Sequence, residues 1–245
     1  MSALESWSLG SHRANGVTHA TYRKGSGPGV IVIHEVPGIT PAVLEFGEEV
    51  VARGFTVVMP SLFGRPGATA TVFESVRSIA AVCISREFTM FALARTTPVA
   101  AWLRSLAGEL HRELGGPGVG AVGMCLTGGY ALAMLADAPV AAPVLAQPAS
   151  PAPVGKARRA DLGLSPRDLE SVRTKVKAGC QVLGLRYEND PAVGTRFETL
   201  RRELGDNFIA VEFPGRKHAT LTEHRQQAGV DRVLAFFEEK LKGAD

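Results

Sequence analysis

Cysteine is scarce in this chain: three in 245 residues, with no C-x-x-C pair and no paired His/Cys spacing. That pattern excludes a disulfide framework and a zinc site of the usual ligand spacing. Charge of one sign is also lacking, since 27 Lys+Arg against 24 Asp+Glu leave a net charge of +3, too slight to point to nucleic acid. The basic clusters Lys156-Ala157-Arg158-Arg159 and Arg201-Arg202 are short and far apart in sequence, as on a solvated surface. Met1-Ser2-Ala3-Leu4-Glu5 has neither the basic start nor the apolar stretch of a secretory signal. The low-charge run from Gly115 to Pro148 is broken by Gly128-Gly129, Asp137 and Pro139, which rules it out as a membrane span. Internal repeats and low-complexity tracts are absent. The expectation is a cytoplasmic protein without nucleic-acid or membrane partners, present as a monomer or small homo-oligomer.

What is present is an ordinary globular composition, 45% hydrophobic, in a chain long enough for a sizeable core. Residues 7–9 and 17–22 flank Asn15-Gly16 and predict an opening hairpin. Thereafter strand-like and helix-like runs alternate. Strands are expected at 30–34, 55–59, 119–122, 140–146, 180–185 and 208–213. Helices are expected after Thr40-Pro41 and Thr97-Pro98, from Tyr130, over 191–204 and at the C-terminal end, where Val230, Val233, Leu234, Phe237 and Leu241 share a face. Residues 69–94 read as partly helical, and 156–177 as polar with one short helix after Ser165-Pro166. The alternation predicts one α/β domain over residues 1–245, a mostly parallel central sheet with helices on both faces.

One stretch stands out. Val119-Gly120-Ala121-Val122 leads into Gly123-Met124-Cys125-Leu126-Thr127-Gly128-Gly129 and then the helix-like Tyr130 to Leu135. A nucleophile bracketed by glycines between strand and helix is the nucleophile-elbow pattern, here with cysteine where serine is commoner. The free N–H groups of the following helix place partial positive charge where an anion would form. A phosphate cradle is disfavoured, because both the Walker lysine and the G-x-G-x-x-G spacing are missing.

A thiol nucleophile needs a base, and the base needs an orienting partner. In an elbow protein these follow in the order acid, then histidine. Of six histidines, His12, His19 and His34 precede the elbow, and His111 lies within a helix. His218 sits in the loop straight after the last strand, whereas His224 lies six residues on, toward the closing helix. Position therefore selects His218. The acid belongs in Arg186-Tyr187-Glu188-Asn189-Asp190-Pro191, where Asp190 is favoured over Glu188 although it would also serve as an N-cap. Glu35, directly after the 30–34 strand, points into the same crevice and would act on the thiol proton or rival Asp190. The backbone N–H groups of Val36 and Leu126 are the candidate oxyanion hole.

Ile33-His34-Glu35-Val36-Pro37-Gly38, Gly123-Met124-Cys125-Leu126, Asp190 and His218, in this order, resemble the dienelactone hydrolase family of α/β hydrolases. The resemblance runs from about Val30 to the last helix. It implies the α/β-hydrolase fold and a Cys125–His218–Asp190 triad, with Glu35 assisting thiol activation. It also implies carboxymethylenebutenolidase-type hydrolysis of a small ester or lactone through an acyl-enzyme on Cys125, with no cofactor and no metal. Arginines that bind a substrate carboxylate are implied as well. Arg86 corresponds loosely to one; the other is unmatched, since Ala219, Thr220, Leu221 and Thr222 follow the histidine. Thr127 replaces a customary glycine and is expected to crowd the elbow and donate into the crevice. Two other readings use the same residues: a thioesterase or other acyl hydrolase, and a non-catalytic small-molecule-binding protein on a hydrolase scaffold.

Overall fold

The structure is a computed structural model that describes residues 3–84, 96–150 and 155–243. After a short 3-10 turn, the opening hairpin is β1 (Ser8–Ala14) and β2 (Val17–Lys24), closed by Asn15 at φ +53° and Gly16 at φ +78°. Then come β3 (Gly29–Ile33), α1 (Pro41–Ala52), β4 (Thr56–Ser61), α2 (Val72–Ile84) and α3 (Pro98–Leu114). The second half holds β5 (Val119–Met124), α4 (Tyr130–Leu135), β6 (Val140–Ala146), α5 (Gly155–Ala160), α6 (Pro166–Lys177), β7 (Val182–Tyr187), α7 (Arg196–Leu204), β8 (Phe208–Phe213) and α8 (Gln227–Leu241).

The eight strands form one sheet in the order β1-β2-β4-β3-β5-β6-β7-β8, with only β2 running against the rest. The strand order reverses between β3 and β5, and such switch points open a crevice at the carboxyl ends of the strands. Both faces are covered. Ile31 and Ile33 pack with Trp102, Leu103, Leu132 and Phe197 on one side, while Val30 and Val32 pack with Phe46, Phe55 and Phe237 on the other. This two-residue alternation is the strand period, and burial on both faces explains the unbroken β-branched run.

Several boundaries differ from expectation for identifiable reasons. β4 continues through Pro60 and Ser61, which pair with β2, although proline has no N–H for a ladder. It is tolerated because the β3–β4 pairing ends at Ile31↔Val58, leaving that edge free. Residues 156–177 hold two helices, α5 and α6, not one short one. α7 begins at Arg196 and not at 191, because Gly194 takes φ +63°, where a β-carbon would lie 2.9 Å from the Arg159 carbonyl oxygen. The buried Arg196 guanidinium then holds this turn by donating to the carbonyls of Val193 (2.8 Å) and Arg158 (2.7 Å).

His34 continues from β3 as a structural residue. Its Nδ1 donates to the Glu35 carbonyl (2.9 Å) and its Nε2 accepts from the Leu62 N–H (3.0 Å), which requires a neutral ring. Complete burial lowers its pKa to about 4. Because the unfolded chain would protonate it near 6.5, this stability is present above pH 6.5 and lost as pH falls toward 4. The loss is on the order of 3 kcal/mol. Urea unfolding at pH 7 and pH 4.5 should show that slope for wild type and a flatter one for His34→Gln.

Candidate active site

β5 delivers Cys125 at the centre of the sheet, on a backbone with φ +56°. A non-glycine residue held there is strained, as a nucleophile elbow requires. The turn is tight enough to dictate Gly123: a β-carbon there would lie 2.1 Å from the Thr127 carbonyl oxygen. The Cys125 carbonyl accepts from the N–H groups of Gly128 and Ala149 (both 2.9 Å), tying the elbow to the loop after β6. Cys125 itself is half-buried.

Thr127 does not face the crevice as expected. It is fully buried, and its hydroxyl turns back toward the carbonyls of Met124 (2.9 Å), Ile33 (3.1 Å) and His34 (3.1 Å) while accepting from the Met124 N–H (3.0 Å). The hydroxyl thus bolts the elbow to the end of β3, which explains how a residue larger than glycine is accommodated.

Asp190 and His218 come together from the loops after β7 and β8. His218 Nδ1 lies 2.6 Å from Asp190 Oδ2, and the Asp190 side chain is 2% exposed. The other oxygen, Oδ1, accepts from the Ala192 N–H (2.9 Å), so a local turn bond and the contact with histidine coexist. Glu188 is exposed. Burial on its own would lower the His218 pKa. Hydrogen bonds to Asp190 and Cys125, with the charges of both, outweigh it and raise the value to about 10. His218, half-buried, therefore stands between the thiol and the carboxylate and favours its imidazolium form beside them. His224 supports this loop instead of the final helix: its Nδ1 accepts from the His218 N–H (3.4 Å), and its carbonyl accepts from the Tyr187 hydroxyl (2.6 Å).

Glu35 is 5% exposed, and both carboxyl oxygens are bonded. Thr222 Oγ1 meets Oε1, and Gln147 Nε2 donates to Oε2 (3.2 Å). Burial pushes this carboxyl up; the bonds to Thr222 and Gln147 and the nearby His218 pull it back, while Glu223 adds to the rise. Val36 and Leu126 lie on the loop after β3 and directly after Cys125. Arg86 lies outside the described residues. Gln147, Thr220 and Thr222 escaped the sequence reading; the available signal was a polar residue, Gln147, ending the apolar run of β6. Among the described residues no helix is long and apolar enough to cross a membrane.

Solved structures of this fold bear out the α/β architecture. A dienelactone hydrolase from Anabaena variabilis is 18% identical, with TM-score 0.67, covering 96% of this chain and 98% of its own. A cold-adapted esterase from an Arctic intertidal metagenomic library is 16% identical, with TM-score 0.61 and coverage of 95% and 93%. The thioesterase domain from the curacin biosynthetic pathway is 12% identical, with TM-score 0.59 and coverage of 94% and 99%. No curated protein matches the sequence. The profile of the dienelactone hydrolase family matches residues 16–239, almost the whole chain. The chain belongs to the dienelactone hydrolase family of α/β hydrolases and is a hydrolase acting on carboxylic ester or lactone bonds.

Proposed function

We propose that this enzyme hydrolyses small esters or lactones through an acyl-enzyme on Cys125, with His218 and Asp190 as its partners. The observation that carries the reading is His218, held by a buried carboxylate at 2.6 Å and hydrogen-bonded toward a thiol on a strained elbow. The Cys125 proton passes to His218, and the thiolate attacks the substrate carbonyl carbon. The tetrahedral oxyanion is met by the N–H groups of Leu126 and Val36. Collapse breaks the C–O bond, and the His218 imidazolium protonates the departing alkoxide. Water, deprotonated by His218, then attacks the thioester; the acid leaves and the thiol is restored. Asp190 keeps Nδ1–H directed to itself, so that Nε2 faces the thiol. Glu35 assists thiol activation.

A panel of a short nitrophenyl ester, a dienelactone and a thioester ranks these classes and separates the thioesterase reading. Asp190→Asn lets the ring adopt the wrong tautomer, and kcat on the best of these should fall by on the order of 10²–10⁴ with the fold retained. Undiminished turnover would remove Asp190 from the scheme.

A further inference from the structure

We propose that Gln147 is a positioning residue, an amide clamp that sets the orientation of Glu35 and holds the His218 loop in register with it. The inference rests on the reading of Cys125 and His218 above, and goes beyond it by naming a residue whose hydrogen bonds run to Glu35, Thr220 and Leu185 and to neither of them. Gln147 is fully buried at the end of β6, and its backbone takes φ +35° with its N–H on the Leu185 carbonyl (2.6 Å). Among the described residues, non-glycine residues at positive φ are only Asn15 in the hairpin turn, Cys125 and Gln147. Two of the three therefore border the crevice, where strain of this kind persists only if the surroundings enforce it.

The amide has one possible orientation. Its Oε1 accepts from the Thr220 backbone N–H (3.1 Å), a group that can only donate, and from the Thr220 hydroxyl (2.6 Å). Nε2 must then face Glu35 Oε2 and donate to it. Glu35 Oε2 is thereby an acceptor in every protonation state, and any proton on Glu35 sits on Oε1, against Thr222. Through one side chain the loops after β3, β6 and β8 are joined, and Thr220 lies two residues from His218. The groups that act on Glu35 are Gln147, Thr222, His218 and Glu223, so the clamp is the sole amide donor among them. A buried network of this kind fixes geometry when every member is satisfied.

The test compares kcat and KM across pH on the nitrophenyl ester for wild type, Gln147→Met and Gln147→Glu, with thermal unfolding of each. Methionine fills the space but removes all three side-chain hydrogen bonds. It should lower kcat up to about 100-fold with little change in KM, and move the acid limb of kcat/KM to higher pH, since the Glu35 carboxylate loses a donor. Glutamate reproduces the clamp only while protonated. Its kcat/KM relative to wild type should therefore fall as pH rises. A residue that merely supports the fold would lower the melting temperature and leave that ratio flat with pH, and a flat ratio overturns the proposal. If Gln147→Met does not fold, the Gln147→Glu ratio decides alone. Wild-type turnover that survives Cys125→Ala would sink the underlying reading instead, and is read separately from the same plates.

Discussion

Cys125→Ala is expected to lower kcat on the best ester by at least about 10³ while the protein stays folded, and His218→Ala to do nearly the same. In the proposed mechanism, removing the thiol removes the atom that forms the acyl bond. Removing the imidazole leaves a thiol without the group that takes its proton, protonates the leaving alkoxide and later activates water. The double variant should be scarcely worse than either single one, because the two residues act as a unit. The histidine variant is the more discriminating of the two, since an exposed thiol reacts slowly with activated esters unaided. Neither substitution should disturb packing: Cys125 and His218 are both half-buried at the mouth of the crevice. Steady-state kinetics beside a thermal melt check this, and a His218→Ala enzyme with wild-type turnover would contradict it.

Gly123→Ala should have a large effect on both the fold and the activity. The added carbon would lie 2.1 Å from the Thr127 carbonyl oxygen and 2.9 Å from its carbon, both backbone atoms. The elbow must open to admit it. Overpacking of this kind costs about 1–3 kcal/mol, and a shift of roughly 1 Å in the nucleophile costs about 100-fold in rate. The melting temperature should thus fall by several degrees and the activity much further. Gly108→Ala on α3 is the matched control. Beyond the backbone of its own helix turn nothing lies within 4 Å of its new carbon, and alanine in a helix is favoured over glycine by roughly 0.5–1 kcal/mol. A melt that moves equally for both would mean that the elbow is looser than its geometry.

What the sequence makes legible here depends on how local the signal is. Cys125 is announced by its neighbours, because a strand, a small residue and a helix within a dozen positions leave few other conformations for the turn. His218 and Asp190 follow from order along the chain, and the edges of β6 and β8 from abrupt changes in hydrophobicity. The start of α7 was not legible: whether Gly194 breaks a helix depends on the Arg159 backbone, which is remote in sequence. The direction of the Thr127 hydroxyl is hidden for a similar reason, since its acceptors, the carbonyls of Ile33 and His34, arrive from another segment of the chain. Gln147, Thr220 and Thr222 form a network only after three loops meet, and nothing in the spacing of 35, 147 and 220 foretells it. Short-range turn chemistry reads from sequence; satisfaction of buried polar groups reads from the fold.

The central claim is a covalent acyl group on Cys125, and mass spectrometry of the enzyme during turnover tests it directly. Rapid acid quench of wild type with a short acyl nitrophenyl ester, followed by digestion, should show the peptide bearing Cys125 heavier by one acyl group. The same peptide should stay unmodified in Cys125→Ala. Turnover in the absence of any acylated Cys125 peptide, undiminished by Cys125→Ala, would contradict the account.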